Sequence, residues 1–147
     1  MNDHITTIQR YYSGCNTADE DLMVSCFTED VVHYFVDNPP VFGADKLAHY
    51  WAVVGPKTQA TWNVDHSIAA GDEAVIEWSM RWLPPGNPKG GFERLRGTEW
   101  FRFRAGKISE IRSYHCNHLL NAPENRKLHG FDYLGRGYPG DPATEPS

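Results

Sequence analysis

Apolar positions along this chain keep a mainly helical period in the first part and an alternating one in the second, with one strand set between the helices. From Ile5 to Cys15 the set Ile5, Ile8, Tyr11, Tyr12 and Cys15 recurs every three or four residues, which predicts one buried face of a helix with Asp3 as its N-cap. Asn16 and Thr17 break the pattern, and Asp19 stands where it can cap a second, short helix carrying Leu22, Met23, Cys26 and Phe27. Residues 31–36 are β-branched and aromatic and predict a strand, bounded by Glu29-Asp30 and by Asp37-Asn38-Pro39-Pro40. Leu47, Tyr50, Trp51 and Val54 restore helical spacing over 44–54, and Gly55-Pro56 is expected to end that third helix.

Four strand candidates follow, at 59–69, 73–83, 92–104 and 107–116, joined by turn signals at Gly71-Asp72 and Ala105-Gly106 and by a longer loop over 84–91. Helices first and strands later, without βαβ alternation, imply an α+β domain: N-terminal helices packed on a curved antiparallel or mixed sheet and enclosing a pocket. That domain is expected to span 1–121. Residues 122–147 are rich in Gly, Pro and charge and read as an irregular tail, docked through Phe131, Tyr133, Leu134 and Tyr138 as far as about Pro139.

Composition narrows the partners. A formal net charge of -5 leaves no basic face for a phosphate backbone, so nucleic acid is not an expected ligand. No apolar run approaches the roughly 20 residues that span a bilayer, and the first residues lack the apolar stretch of a secretory signal, so no membrane partner and a cytoplasmic location are expected. Cys15, Cys26 and Cys116 are an odd set without close pairing, which fits thiols in a reducing compartment. Five Trp exceed what a plain core of this size needs, so some rings are expected to line a cavity for a small apolar molecule.

The element order, with the run Arg10-Tyr11, Asn16, Asp19, Phe27, Asp30, resembles the cone-shaped α+β barrel shared by ketosteroid isomerase, scytalone dehydratase, SnoaL-type polyketide cyclases and nuclear transport factor 2. By this resemblance, which covers roughly residues 5 to 118, Tyr11 falls on the isomerase family's oxyanion-binding tyrosine. Glu99-Trp100-Phe101-Arg102-Phe103 followed by Gly106-Lys107-Ile108 is similar to the strand and turn that carry its oxyanion-binding acid, at Glu99. Two departures stand out. Five residues beyond Asp30, where that family has its proton-shuttling aspartate, this chain has Phe35, and where epoxide hydrolases of the fold have an aspartate in the final strand it has Ser113.

Substitutes for the missing base lie nearby. Alternation puts His33, Phe35 and Asp37 on one face, and Ile111, Ser113 and His115 on one face of the last strand. His33 and His115 suit proton transfer near neutral pH, with a hydrogen-bonded structural histidine as the alternative for His33. Asp37 is a further candidate, or else a turn residue bonded to its own backbone. Tyr11, or Tyr12 if the helical phase differs by one, would form an oxyanion hole with a protonated Glu99; the plainer alternative for Glu99 is an outward residue paired with an Arg. The expected substrate contacts are Phe35, Trp51, Phe101 and Ile111, with Glu77 and Arg81 added if the apolar face of Ile76, Trp78, Met80 and Trp82 is a dimer interface rather than core.

Exposure of Trp78, Trp82 and Trp100 is the basis for expecting a homodimer through the sheet. His115, Cys116 and His118 lack ligand spacing, so no metal is expected, and no cofactor. The reading is a cofactor-independent lyase, isomerase or cyclase acting by acid-base catalysis on a carbonyl-bearing molecule; the alternatives are a non-catalytic binding protein of the same fold or an epoxide-hydrolase-like enzyme.

Overall fold

A computed structural model describes residues 2–86, 90–115 and 127–139. Helix α1 (Asp3–Thr17) buries Ile5, Ile8, Tyr11, Tyr12 and Cys15, the face its period defines. Its cap is Asn2, not Asp3: the Asn2 side chain accepts from the His4 N–H and leaves Asp3 in the first turn, where a carboxylate also opposes the helix dipole favourably. Ala18 ends the helix in the left-handed region, and Asp19 caps α2 (Glu20–Cys26) by accepting from the Leu22 N–H. Gly14 lets the two helices meet, because a Cβ there would lie 2.6 Å from Met23 Cγ.

Chain direction turns straight from α2 into β1 (Phe27–Tyr34), four residues earlier than expected. Glu29 and Asp30 lie within that strand, exposed, where its pairing shifts register between Phe27 and Val32, so they mark a bulge rather than a strand end. A two-residue strand, β2 (Val41–Phe42), was too short to carry a period and pairs antiparallel with β1. Helix α3 (Ala44–Thr58) continues through Gly55-Pro56. Pro56 removes only one N–H near the helix end, and the carbonyls of Gly55 and Pro56 are satisfied by the N–H groups of Ala60 and Gln59, so the last turn survives.

Strands β3 (Thr61–Ala70), β4 (Glu73–Trp82), β5 (Glu93–Arg104) and β6 (Lys107–His115) form an antiparallel meander close to the expected ranges. The six-stranded order is β2-β1-β6-β5-β4-β3, with β1 and β6 parallel, so the sheet is mixed. Register shifts in β1, in β3 between Val64 and His66, and between β5 and β6 at Arg102/Phe103 bend it into a curved, unclosed surface whose concave face carries the helices. Asn16 ties helix to sheet: its amide donates to Trp62 O and accepts from Trp62 N, each at 2.9 Å.

The outer face meets the tail segment 127–139. Phe131 is buried beside Tyr34, Val36 and Leu128, and the Arg112 guanidinium lies 5.5 Å from the Trp100 ring and 5.6 Å from the Phe131 ring. Among the described residues no helix is long and apolar enough to cross a membrane.

Candidate functional site

Cross-strand registration builds the site in rows on the inner face. Ile76 on β4, Glu99 on β5 and Ser113 on β6 are aligned partners; one same-face step along, Trp78, Gly97 and His115 make a second row. Above them α1 supplies Tyr11 and Tyr12, and α3 supplies Tyr50 and Trp51. The space between holds about 690 Å³, its open mouth included. An outer hollow past Asp37, Tyr50 and Trp82 reaches Asn38, Lys57 and Pro84.

The inner polar station centres on Glu99, 3% exposed. Its Oε1 is bonded by the Tyr12 hydroxyl and its Oε2 by the Ser113 hydroxyl, and His33 Nε2 stands 3.3 Å from Oε2 and from Ser113 Oγ. Burial pushes Glu99 up to about 8, with the Ser113 hydrogen bond pulling the other way, so it is protonated at neutral pH. Burial lowers His33 to about 3, and its imidazole stays neutral. Glu99 and His33 are therefore a neutral hydrogen-bonding pair rather than an ion pair, the arrangement a dry site favours. Tyr11, fully buried next to them, has its hydroxyl pushed well above the usual tyrosine range by burial, with Cys15 and Glu99 adding to it.

A second station lies one row outward. His115 Nε2 is 3.1 Å from Asp37 Oδ2, and both side chains are largely buried. Burial would raise the Asp37 carboxyl, but the hydrogen bond and charge of His115 outweigh it and hold it below its ordinary range. An ionised carboxylate only accepts, so His115 donates its Nε2–H to Asp37. The His115 Nδ1 is buried without a partner among the described residues.

The structure brings Glu99, Tyr11, Phe35, Trp51, Asp37 and His115 to one cavity. The ring bonded to Glu99 is Tyr12, one position from Tyr11; both are buried because α1 meets both the sheet and the other helices. His33 is sealed behind the cavity wall, its ring stacked at 4.0 Å on Phe35. Phe101 and Ile111 are fully buried core rather than lining. Glu77 and Arg81 are exposed on the opposite face, Arg81 over the Phe92 ring, because the alternate face of β4 is core: Trp78 is 4% exposed and Trp82 lines the cavity. Of the three tryptophans expected outside, only Trp100 is, at 41%. Ser113, Trp62 and Gly97 were not assigned roles from sequence, although Gly97 and Glu99 share a face with Leu95 and Phe101 by simple alternation.

Among the described residues no three His, Cys, Asp or Glu side chains group to hold a metal, and Cys116 and His118 lie outside those residues.

A curved sheet under three helices, over an apolar pocket that holds titratable groups, is an α+β fold of the nuclear transport factor 2 kind. The chain belongs to the SnoaL-like domain family, which matches residues 8–111. It is similar over 99% of its length, and 96% of the other's, to a protein of unknown function with a cystatin-like fold from Methylobium petroleophilum PM1, at 31% identity and a TM-score of 0.81. A putative SnoaL-like polyketide cyclase from Jannaschia sp. CCS1 shares the fold at 19% identity and TM-score 0.67, over 82% of this chain and 93% of that one. The epoxide hydrolase/cyclase-like enzyme SalBIII, of pyran ring formation in salinomycin, does so at 17% and 0.68, over 80% and 92%. No curated protein sequence matches the chain.

Proposed function

We propose that this protein is a cofactor-independent acid-base enzyme, a lyase, isomerase or cyclase, acting on a small apolar molecule that carries a carbonyl group. One observation carries the reading: a single apolar cavity holds a carboxyl group pushed up to about 8 and, one row away, a carboxylate held low by a histidine. The carbonyl oxygen accepts from protonated Glu99, with Tyr12 behind it and Tyr11 beside it, and negative charge developing there is stabilised without water. His115 Nδ1 takes the proton from the carbon next to the carbonyl; the C–H electron pair becomes the carbon–carbon double bond, the carbonyl π pair moves to the oxygen held by Glu99, and Asp37 stabilises the imidazolium. Return of the imidazolium proton to another carbon isomerises, its transfer to a departing β-hydroxyl releases water, and attack of the enolate carbon on a second carbonyl, whose oxygen takes that proton, cyclises. Chains of this fold described as cyclases accord with the reading.

The test is hydrogen exchange of 2-tetralone in D₂O, followed by proton NMR. Exchange at the positions flanking the carbonyl well above the buffer rate is expected. Binding of the ketone with no exchange above buffer would make the pocket a binding site without chemistry, the reading that Phe35 in the isomerase base position favours.

We also propose a homodimer through the outer face of β3 to β5, which residues 127–139 leave uncovered and where Trp100 is the exposed aromatic. Sedimentation at micromolar concentration should give twice the monomer mass of 16.7 kDa, and Trp100→Glu should return it to monomer.

A further inference from the structure

The second row across the sheet has a feature that acid-base chemistry does not use. Gly97 stands between Trp78 and His115, paired with each. A Cβ on Gly97 would fall 2.5 Å from Trp78 Cζ2 and 2.8 Å from Cε2, so only glycine leaves the slot in which the indole lies across the strand. Cε2 bears the ring nitrogen. The indole centre is 5.9 Å from the His115 ring, and the nitrogen-bearing edge is the one that crosses Gly97.

Trp78 lines the cavity, is 4% exposed, and its Nε1–H has no hydrogen-bond partner among the described residues. The same holds for His115 Nδ1. An indole N–H buried in an apolar site without an acceptor is costly, and phenylalanine would fill the same slot without that cost. An oxygen of a bound molecule removes the penalty. That oxygen is distinct from the one at Glu99, because Gly97 and Glu99 are one same-face step apart on β5, a span of about 7 Å.

Resting on the acid-base reading above, we propose that Trp78, seated by Gly97, is a specificity-determining residue whose indole N–H binds a second oxygen of the substrate beside His115. The substrate class is then a ring-sized molecule with two oxygens at opposite ends, one at Glu99 and one at Trp78. A molecule with a single oxygen leaves one station unpaired and binds more weakly.

Phenol and hydroquinone are probes differing by that one oxygen. Titrated into ¹⁵N-labelled protein, hydroquinone is expected to move the Trp78 indole N–H resonance and to bind about tenfold tighter than phenol, a preference lost in Trp78→Phe. The resonance is assigned by its absence from the W78F spectrum, or by single Trp→Phe changes at the other four tryptophans if W78F does not fold. Glu99→Leu, which removes the donor, should weaken both probes. Equal affinities with an unmoved Trp78 resonance, while E99L still weakens both, would overturn the role of Trp78 and leave the acid-base site standing. No effect of E99L on either probe, or no binding of either at millimolar concentration, would overturn both.

Discussion

His115→Ala is expected to lower the rate of ketone exchange by about a hundredfold or more, with the fold intact by circular dichroism. The size follows from the role. In that role His115 acts through Nδ1, because its Nε2–H is engaged by Asp37 Oδ2 at 3.1 Å. The carboxylate is also the counter-charge for the imidazolium that forms when the substrate proton arrives. Asp37→Asn keeps a carbonyl that can accept the Nε2–H but removes that charge, so a loss of about tenfold is expected, smaller than for His115→Ala. His33 offers the contrast. It is fully buried, stacked on Phe35 and lowered to about 3, so it neither reaches the substrate nor takes a proton at neutral pH. His33→Gln should therefore act only through Glu99, with a smaller loss than His115→Ala. If the losses rank the other way in steady-state exchange, the base assignment is wrong.

The distinction between those histidines was not readable from the chain. Period-2 alternation put both on inward faces, and both lie there, His33 against Glu99 and His115 in the cavity lining beside Asp37. What alternation does not encode is depth. His33 lies on β1 beneath the stacked Phe35, while His115 ends β6 and lines the cavity. Depth also separated Phe35 and Trp51, which line the cavity, from Phe101 and Ile111, which are core. The Tyr11/Tyr12 choice turned on one step of helical phase, about 100°, and α1 buries both rings because it packs on two sides. On β4 the sequence named the two faces correctly but not which met the helices; the tryptophan face did, since Trp51, Trp62, Trp78 and Trp82 together build the apolar wall of the pocket. Pro56 misled because a proline in a helix's last turn removes one hydrogen bond without ending it.

Stability should pass through a plateau in weakly acidic solution and fall on both sides, and Glu99→Gln should remove the alkaline fall. Glu99 has an ordinary value of 4.5 and is raised to about 8 by burial, so between those limits the native state keeps a proton that the unfolded chain has released. Fewer protons on the unfolded state means stability declines as pH rises through that window. His33 has an ordinary value of 6.5 and is lowered to about 3, so between those limits the unfolded chain binds a proton the native state refuses, and stability rises with pH. The two windows overlap from 4.5 to 6.5, where the slopes cancel. Below that overlap the His33 slope stands, joined by Asp37, whose lowered carboxyl stabilises the fold until acid protonates it. Above the overlap the Glu99 slope stands, for about one and a half pH units, or on the order of 2 kcal/mol. Urea midpoints of the wild type should therefore drop between pH 6.5 and 8, while those of E99Q hold level. The same proton serves as the acid, so exchange activity in the wild type should also fall above about 8. Parallel, flat midpoints for both proteins would mean that Glu99 is ionised in the fold. It could then donate no hydrogen bond to a carbonyl oxygen, and the oxyanion role would pass to Tyr11 alone.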